Sequence, residues 1–402
     1  MTAHLNLERA ARQLDARELD GLVASTPENV HYTSGLQSAS FLLNRYAARV
    51  FAVVSRAALR EPVVAAALGD APAIADSCPP GTRAVLYGSI FKYVAEGVEL
   101  TPHEEWIRRH VLETPAEPSS TSALAQALSD AGLARGRVGY DEQGLPSQQV
   151  AEVRRLLPGL ELVPASDVFR SIRAVKSPSE LERLTRSLEL TEDAIEAAVA
   201  IAAPGVTESD MMREFARVVA LGGGVTVAID FSFGRRGGLG NPGLHDAELQ
   251  EGDLIRFDGG CRFDGYYSDI ARTFLYRGEV DASVAAKYRA LQEGETAAID
   301  AIRPGTAFAE VFRIGVEATR AAGLEPYGRH HIGHSIGLEI YDGAMISADD
   351  ISIVESGMFL EVELPYMVLG FGGLQLEDTV LVGDDGPAVL TRLDRDIIRI
   401  EE

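Results

Sequence analysis

The segment 254-LIRFDGGCRFDGYYSDIARTF-274 predicts a β-hairpin. At its centre, Asp264-Gly265 is the dipeptide preferred in two-residue type I′ turns. A turn at this place pairs Phe263 with Tyr266. The register of both strands follows from that pair, because the turn type and the loop length set the register of a hairpin.

Two aspartates share one face of this hairpin. Asp258 lies opposite Ala271 in the predicted register, and Asp269 is two residues from Ala271, so both carboxylates emerge on the same side. Aspartate is disfavoured inside strands, and two neighbouring carboxylates repel each other unless a positive charge lies between them. The alternative is a pair of solvated carboxylates on an open face.

Three later segments add histidine and glutamate to these aspartates. The segment 329-RHHIGHSIG-337 has three histidines within five positions, which favours a metal or catalytic role over a structural one. The segments 357-GMFLEVEL-364 and 373-GLQLEDTV-380 alternate like half-buried strands. Their Glu363 and Glu377 need a partner, because burial of an unpaired carboxylate is costly.

Together these segments supply enough ligands for two metal ions. The set consists of four carboxylates and one imidazole: Asp258, Asp269, His334, Glu363 and Glu377. Carboxylates bridge cations, and two metals about 3.5–4 Å apart are a common device for activating water. Oxygen-rich ligation with one imidazole suits manganese, iron, cobalt or zinc. The sequence therefore predicts a metal-dependent hydrolase.

Composition limits the environment in which this hydrolase acts. The net charge of -23 argues against nucleic acid or an anionic membrane as the main partner. No apolar run approaches the roughly 20 residues of a membrane span, and the N-terminus does not resemble a signal peptide. Two cysteines give no disulfide framework, which fits a reducing compartment. We therefore expect a cytoplasmic protein whose substrate is neither nucleic acid nor a membrane.

A length of 402 residues allows two domains, which we predict at 1–170 and 171–402. The first alternates helix-like and strand-like stretches, as in an α/β domain. The second opens with a capping box in which Ser177 and Glu180 flank a helix start at Pro178. A long helix, a Pro-Gly turn and a second helix then occur twice, which indicates a duplicated α+β unit.

The motifs around the ligands resemble those of the creatinase, aminopeptidase P and prolidase family, the M24 metallopeptidases. Segment 268–273 is similar to the family's Ser-Asp-Ile-x-Arg-Thr stretch, and 333–338 is similar to its Gly-His-Gly-Ile-Gly-Leu. Segments 357–364 and 375–379 are similar to its Gly-Met-x-x-x-x-Glu-Pro and Arg-x-Glu-Asp-Thr. The resemblance implies an α/β N-terminal domain of the creatinase/prolidase type. An α+β pita-bread catalytic domain with a pseudo-twofold repeat follows it.

The resemblance also implies a role for each ligand. Asp258 would chelate one metal, Asp269 and Glu377 would bridge both, and His334 and Glu363 would complete the two shells. Glu363 would in addition shuttle protons. Two divalent ions are expected, with manganese ahead of iron, cobalt and zinc.

Two positions depart from the proline-specific members of the family. Their second histidine, seven residues after the ligand histidine, is here Tyr341, and their arginine two residues before the final glutamate is Gln375. The resemblance assigns His245 and His330 to binding of the substrate carbonyl or carboxylate. Tyr341 would take part of the missing histidine's role, because a tyrosine still donates a hydrogen bond. Gln375 would line the site.

The sequence leaves four functions open. The first is an Xaa-Pro dipeptidase or aminopeptidase that cleaves an amide C–N bond. The second is a hydrolase of a small non-peptide amide or cyclic amidine, as in the creatinase-like and ectoine-hydrolase branches. A lyase and a non-catalytic binding protein on the same fold are the others, and the intact ligand set argues against the last. The resemblance also implies a homodimer.

Overall fold

The computed structural model describes residues 4–240, 243 and 245–401. The chain divides into two compact units, Met1–Arg173 and Ala174–Glu402. The predicted boundary after residue 170 lies inside the last helix of the first unit, which runs on to Arg173. Within the described residues, no helix is both long enough and apolar enough to cross a membrane.

The first unit is a mixed six-stranded sheet with helices, which confirms the predicted α/β class. Its strands are β1 (Gly21–Ala24), β2 (Phe51–Ser55), β3 (Val63–Ala67), β4 (Arg83–Tyr87), β5 (Arg135–Tyr140) and β6 (Gly159–Pro164). Their order in the sheet is β4-β3-β2-β1-β5-β6. The helices are α1 (Leu7–Ala16), α2 (Pro27–Ser34), α3 (Ala39–Leu43), α4 (Ala71–Ser77), α5 (Pro102–Ile107), α6 (Ser120–Asp130), α7 (Ser147–Leu156) and α8 (Ser166–Arg173).

The core of this unit lies between the sheet and two of its helices. Val53 and Val63 of the central strands belong to one buried cluster with Leu124 and Leu128 of α6 and Val153 of α7. Strand β2 is buried at four of its five positions, so its sequence is apolar almost throughout and does not alternate.

The second unit is a ten-stranded sheet with four helices. The helices are α9 (Pro178–Ala200), α10 (Glu208–Leu221), α11 (Ala282–Ala301) and α12 (Phe308–Ala321). The strands are β7 (Val225–Phe233), β8 (Leu254–Phe263), β9 (Tyr266–Tyr267), β10 (Ile270–Tyr276), β11 (His331–Ser335), β12 (Met345–Ser347), β13 (Phe359–Glu363), β16 (Glu377–Val382), β17 (Pro387–Val389) and β18 (Ile398–Ile400). Two further strands, β14 (Tyr366–Val368) and β15 (Gly372–Leu374), pair with each other.

The predicted duplication is visible in the helices. Each half begins with a long helix, of 23 residues in α9 and 20 in α11, and continues with a helix of 14 residues. The main sheet runs β12-β11-β13-β16-β10-β8-β7, so each half supplies one side of it. Helices α9 and α10 share a buried cluster with β7, β8 and β10, and α11 and α12 share one with β11, β13 and β16.

Strand alternation separates this helix-facing core from a polar face. In β13, Leu360 and Val362 lie in the buried cluster with the helices, whereas Glu363 points to the opposite face. In β8, Phe257 is part of the other cluster, and Asp258 points away from it. The acidic residues of the sheet therefore collect on the face that the four helices do not cover.

Glu180 at the start of α9 predicts a pH-dependent stability. Its side chain is buried and accepts a hydrogen bond from the Ser177 backbone N–H at 2.8 Å, and burial raises its pKa from 4.5 to about 7. A raised pKa in the folded state adds stability that is present below pH 4.5 and is lost as the pH rises through 7. We expect Glu180→Gln to remove this loss, which is roughly 3 kcal/mol. Urea unfolding at pH 5 and pH 8 measures the change in the free energy of unfolding between the two pH values.

The exposed neighbour Glu182 provides the control for this experiment. Glu182→Gln should follow the wild-type dependence on pH. An equal slope in the Glu180→Gln and wild-type proteins would contradict the prediction.

Candidate metal centre

The hairpin that carries the two aspartates forms as predicted. Asp264 and Gly265 have φ angles of 47° and 91°, the positive values that a type I′ turn needs at both central residues. Phe263 pairs with Tyr266, and the register continues so that Asp258 lies opposite Ala271. Asp269 directly precedes β10 and is partly buried.

Three carboxylates of the predicted set lie in one row of paired residues that crosses four strands. Asp258 of β8 pairs with Ala271 of β10, Ala271 pairs with Glu377 of β16, and Glu377 pairs with Glu363 of β13. Paired residues in antiparallel strands point to the same face, so all three carboxylates emerge together. The methyl group of Ala271 occupies little of the space between them.

His334 joins this row because of an irregularity at Gly333. Gly333 has a φ of 139°, and a Cβ atom there would lie 2.1 Å from the Glu361 carbonyl oxygen, so only glycine fits. The register of β11 against β12 shifts between His331 and His334. As a result His334 pairs with Glu361 on the acidic face, while Ile332 packs in the helix-facing core.

The arrangement has the properties of a cation site. One ligand atom from each of Asp269, His334 and Glu377 lies within 4.8 Å of the other two. The Oδ1 atom of Asp269 is buried and has no hydrogen-bond partner within the part of the chain that the structure describes. A divalent ion would satisfy buried oxygen atoms that receive no hydrogen bond. Carboxylates together with one imidazole are a ligand set that fits such an ion.

Burial and mutual repulsion shift the titration of these ligands. Burial, followed by the charges of Asp258 and Glu363, raises the pKa of Asp269. Burial, followed by the charge of Asp269, raises the pKa of Glu377. Burial lowers the pKa of His334 to about 4, so the imidazole is neutral at pH 7 and free to ligate. The raised pKa values of Asp269 and Glu377 reflect buried carboxylates that repel one another in the absence of cations.

Comparison with known proteins agrees with this geometry. A profile of metallopeptidase family M24 matches residues 182–384, and a profile of the creatinase/prolidase N-terminal domain matches residues 88–175. The chain belongs to the M24 metallopeptidases. It is therefore an enzyme of a metal-dependent hydrolase family, as the sequence predicts.

Relatives of this M24 chain include several dipeptidases. The putative dipeptidase YkvY of Bacillus subtilis is 26% identical over 279 residues, which are 68% of this chain and 76% of the relative. An Xaa-Pro dipeptidase of Pyrococcus furiosus is 28% identical over 240 residues, which are 59% of this chain and 69% of the relative.

Solved structures confirm the fold of both units. An Xaa-Pro dipeptidase from Bacillus anthracis superimposes with a TM-score of 0.78 at 19% identity, covering 98% of this chain and 99% of that one. A dipeptidase from Pyrococcus horikoshii OT3 gives a TM-score of 0.77 at 21% identity, with the same coverage. The predicted α/β domain followed by a pita-bread domain is thus correct.

The structure of the M24 centre adds a histidine that the sequence reasoning missed. The Nδ1 atom of His331 lies 3.2 Å from Oε1 of Glu363. In a regular strand His330 and His334 would share a face, but the irregularity at Gly333 gives His331 this place instead. A glycine next to the histidine cluster was the only signal in the sequence.

Tyr341 lies beside two histidines of the centre. Its ring centroid is 4.4 Å from that of His334 and 6.1 Å from that of His331, and 55% of the residue is exposed. Burial of the hydroxyl, together with the nearby carboxylates of Glu363 and Asp269, raises its pKa to about 12. The phenol therefore keeps its proton and can donate it in a hydrogen bond.

The structure corrects the position of Gln375. Only 1% of this residue is exposed, and both ends of its amide are engaged. The Oε1 atom accepts a hydrogen bond from Arg256 at 2.6 Å, and the Nε2 group donates to Glu363 Oε2 at 3.2 Å. Gln375 thus lies behind the ligand Glu363, not in the substrate-facing position that the sequence predicted.

The two other predicted substrate residues are not brought to the ligands. His330 is exposed and lies beside His331, whose pKa it helps to lower after burial and Arg329. His245 is exposed, and its backbone carbonyl accepts hydrogen bonds from the backbone and side chain of Ser209. Their roles in substrate binding stay predictions.

Proposed function

We propose that this protein is a two-metal Xaa-Pro dipeptidase. The observation that carries the proposal is the row of Asp258, Glu377 and Glu363 across four strands, completed by Asp269 and His334 on the same face. Five ligands of this kind suit two divalent ions that share carboxylates, and manganese is the metal we expect. Ions bound there would polarise a carbonyl group and acidify a water molecule.

Glu363 is suited to move the proton of the attacking water. Without cations, burial and the charge of Asp258 raise its pKa to about 7. A carboxylate beside the attacking water can accept the proton of that water and pass it on. Its Oε2 atom is held by Gln375. Its Oε1 atom faces His331, so the carboxylate keeps one orientation while it receives the proton and delivers it to the leaving amine.

Arg329 supports a substrate with a free carboxylate. The residue is partly buried, and its Nε group has no hydrogen-bond partner among the described residues. It lies close enough to Glu363 and His331 to lower the pKa of both. A guanidinium pairs well with a carboxylate, and in a dipeptide the C-terminal carboxylate is next to the scissile bond. This favours a dipeptidase over an aminopeptidase that acts on long peptides.

Release of proline from a set of Xaa-Pro dipeptides by manganese-loaded protein tests the proposal, with Glu363→Ala as the blank. We expect turnover that the blank lacks. We also expect weaker turnover of the same dipeptides with an amidated C-terminus, because they offer Arg329 no anion. Absence of turnover from protein with two ions bound would refute the dipeptidase.

A small non-peptide amide is the second candidate substrate. The observation that favours it is Tyr341, which stands beside His334 where the proline-specific relatives have a histidine. A phenol donates a hydrogen bond but carries no positive charge. Metal-bound protein that is inactive on every dipeptide would direct the search to such amides, including cyclic amidines.

Tyr341→Phe tests the hydroxyl directly. We propose that it donates a hydrogen bond to the oxygen on which negative charge develops, so its loss should lower kcat about a hundredfold and change KM little. Steady-state kinetics on the best dipeptide measure this. Tyr276 lies in the helix-facing core, so Tyr276→Phe should behave like wild type. A Tyr341→Phe protein with wild-type kcat would exclude the role.

We also propose that the protein acts in the cytoplasm as a homodimer. Cys78 and Cys261 are both free and buried, which suits a reducing compartment. In the first unit Leu42, Leu43 and Tyr46 are each more than 80% exposed, and apolar surface of this kind is typical of association. Light scattering should give twice the mass of one chain, and a monomeric mass would refute the dimer.

A further inference from the structure

We propose that Arg256 is a positioning residue for the metal ligands, and that it supplies from β8 the guanidinium that position 375 lacks. The inference rests on the metal centre of the proposed function but not on the identity of the substrate. It concerns a residue outside the sequence motifs, because Arg256 lies in β8 two positions before Asp258.

Arg256 contacts the ligand set directly. It is fully buried, and its Nη1 group donates to Asp258 Oδ2 at 2.8 Å and to Gln375 Oε1 at 2.6 Å. Gln375 in turn donates to Glu363. Asp258 and Glu363 are the two ends of the ligand row, so one guanidinium orients both, the first directly and the second through an amide.

The other edge of the guanidinium is anchored away from the ligands. The Nη2 group donates to the Gly240 carbonyl oxygen at 2.6 Å and forms an ion pair with Asp230. Asp230 is buried, and the Ser232 hydroxyl also donates to it, at 2.8 Å. Arginine can serve both sides because its donors are held in a rigid plane, whereas the single ammonium group of lysine cannot.

The surrounding backbone is shaped to hold this side chain and its amide partner. A Cβ atom on Gly373 would lie 2.9 Å from Cδ of Arg256 and 2.3 Å from the Gly237 carbonyl oxygen. On β10, the Thr273 hydroxyl accepts from the Gln375 backbone N–H at 2.9 Å and donates to its carbonyl at 3.0 Å. The pair of Arg256 and Gln375 is thus fixed on both sides.

The test exchanges the residues at positions 256 and 375 and measures the affinity for manganese, with no substrate present. Arg256→Gln should weaken manganese binding 10- to 100-fold in titration calorimetry, the usual cost of losing a group that orients metal ligands. The double variant Arg256→Gln with Gln375→Arg should recover most of that loss, because it returns a guanidinium to the space between Asp258 and Glu363. Arg256→Lys should recover little.

Arg392→Gln is the control for the loss of an ion pair with a buried carboxylate. Arg392 pairs with the buried Glu192 on the helix side of the unit, so this variant should lose stability and keep its manganese affinity. Gln375→Leu covers the case in which Arg256→Gln does not fold. It leaves the pair with Asp230 intact, and it should still weaken manganese binding.

Two results would overturn the inference. One is wild-type manganese affinity in folded Arg256→Gln, or in Gln375→Leu if that variant alone folds. The other is a folded double variant that binds no better than Arg256→Gln. Failure of the dipeptide assay would leave these titrations unchanged, so the two proposals can fail separately.

Discussion

The Asp269→Asn protein is expected to lose bound metal and to lose activity by roughly a thousandfold. Asp269 is placed where its atoms approach those of both His334 and Glu377, and among the described residues no group donates a hydrogen bond to its buried Oδ1. Asparagine keeps the shape of the side chain but removes the negative charge with which Asp269 would hold cations. Loss of metal assistance costs several kcal/mol of transition-state stabilisation, and about 4 kcal/mol corresponds to that factor.

The measurements are metal content after dialysis against a manganese buffer and kcat/KM on the best substrate. Asp264→Asn is the matched control. Asp264 lies in the turn of the same hairpin, where its carboxylate pairs with Arg183, and its positive φ of 47° suits asparagine. Full metal content and activity in Asp269→Asn would disprove the ligand assignment.

Removal of two metals should lower the melting temperature of the protein by roughly 10–20 °C at pH 8 and by much less at pH 5. Ligands present at about 100 times their dissociation constant add about 2.7 kcal/mol of stability per site. In a unit of this size each kcal/mol corresponds to about 2–4 °C. The difference between the two pH values follows from the carboxylates.

The loss of stability on metal removal grows with pH because the pKa values of Asp269, Glu363 and Glu377 are raised. In the metal-free protein these carboxyl groups increase the free energy of unfolding when the pH is below their ordinary pKa values. This contribution is lost as the pH rises through their pKa values in the folded protein, which is about 7 for Glu363. Bound cations favour the ionised carboxylates and remove that loss. Thermal scans with EDTA and with manganese compare the two states. Equal melting temperatures at pH 8 would refute the prediction.

Much of the fold could be predicted because its signals are local. The Asp264-Gly265 turn fixes the register of the hairpin without help from the rest of the chain. The individual strands of the first unit give weaker signals, and β3 shows why. Strand β3 is buried at four of its five positions, so its run of valine and alanine does not alternate between apolar and polar residues. Without that alternation the sequence does not distinguish a strand from a buried helix segment.

The centre was harder to predict where it depends on distant parts of the chain. The ligand types and their strand faces follow from alternation and from family resemblance. His331 was missed because a glycine with positive φ shifts the strand by one residue, and alternation assumes that no such shift occurs. The contact between Arg256 and Gln375 joins positions 119 residues apart, which no local pattern indicates.

The ligands are divided between the two halves of the duplicated unit. Asp258 and Asp269 come from the half built on α9 and α10, whereas His334, Glu363 and Glu377 come from the half built on α11 and α12. Neither half alone supplies all five residues that we expect to hold two metal ions. Metals bound by these five residues would therefore link the two halves across the pseudo-symmetric interface, and the link would be reversible. Filling the centre is then an assembly step of the domain as well as a requirement of its chemistry.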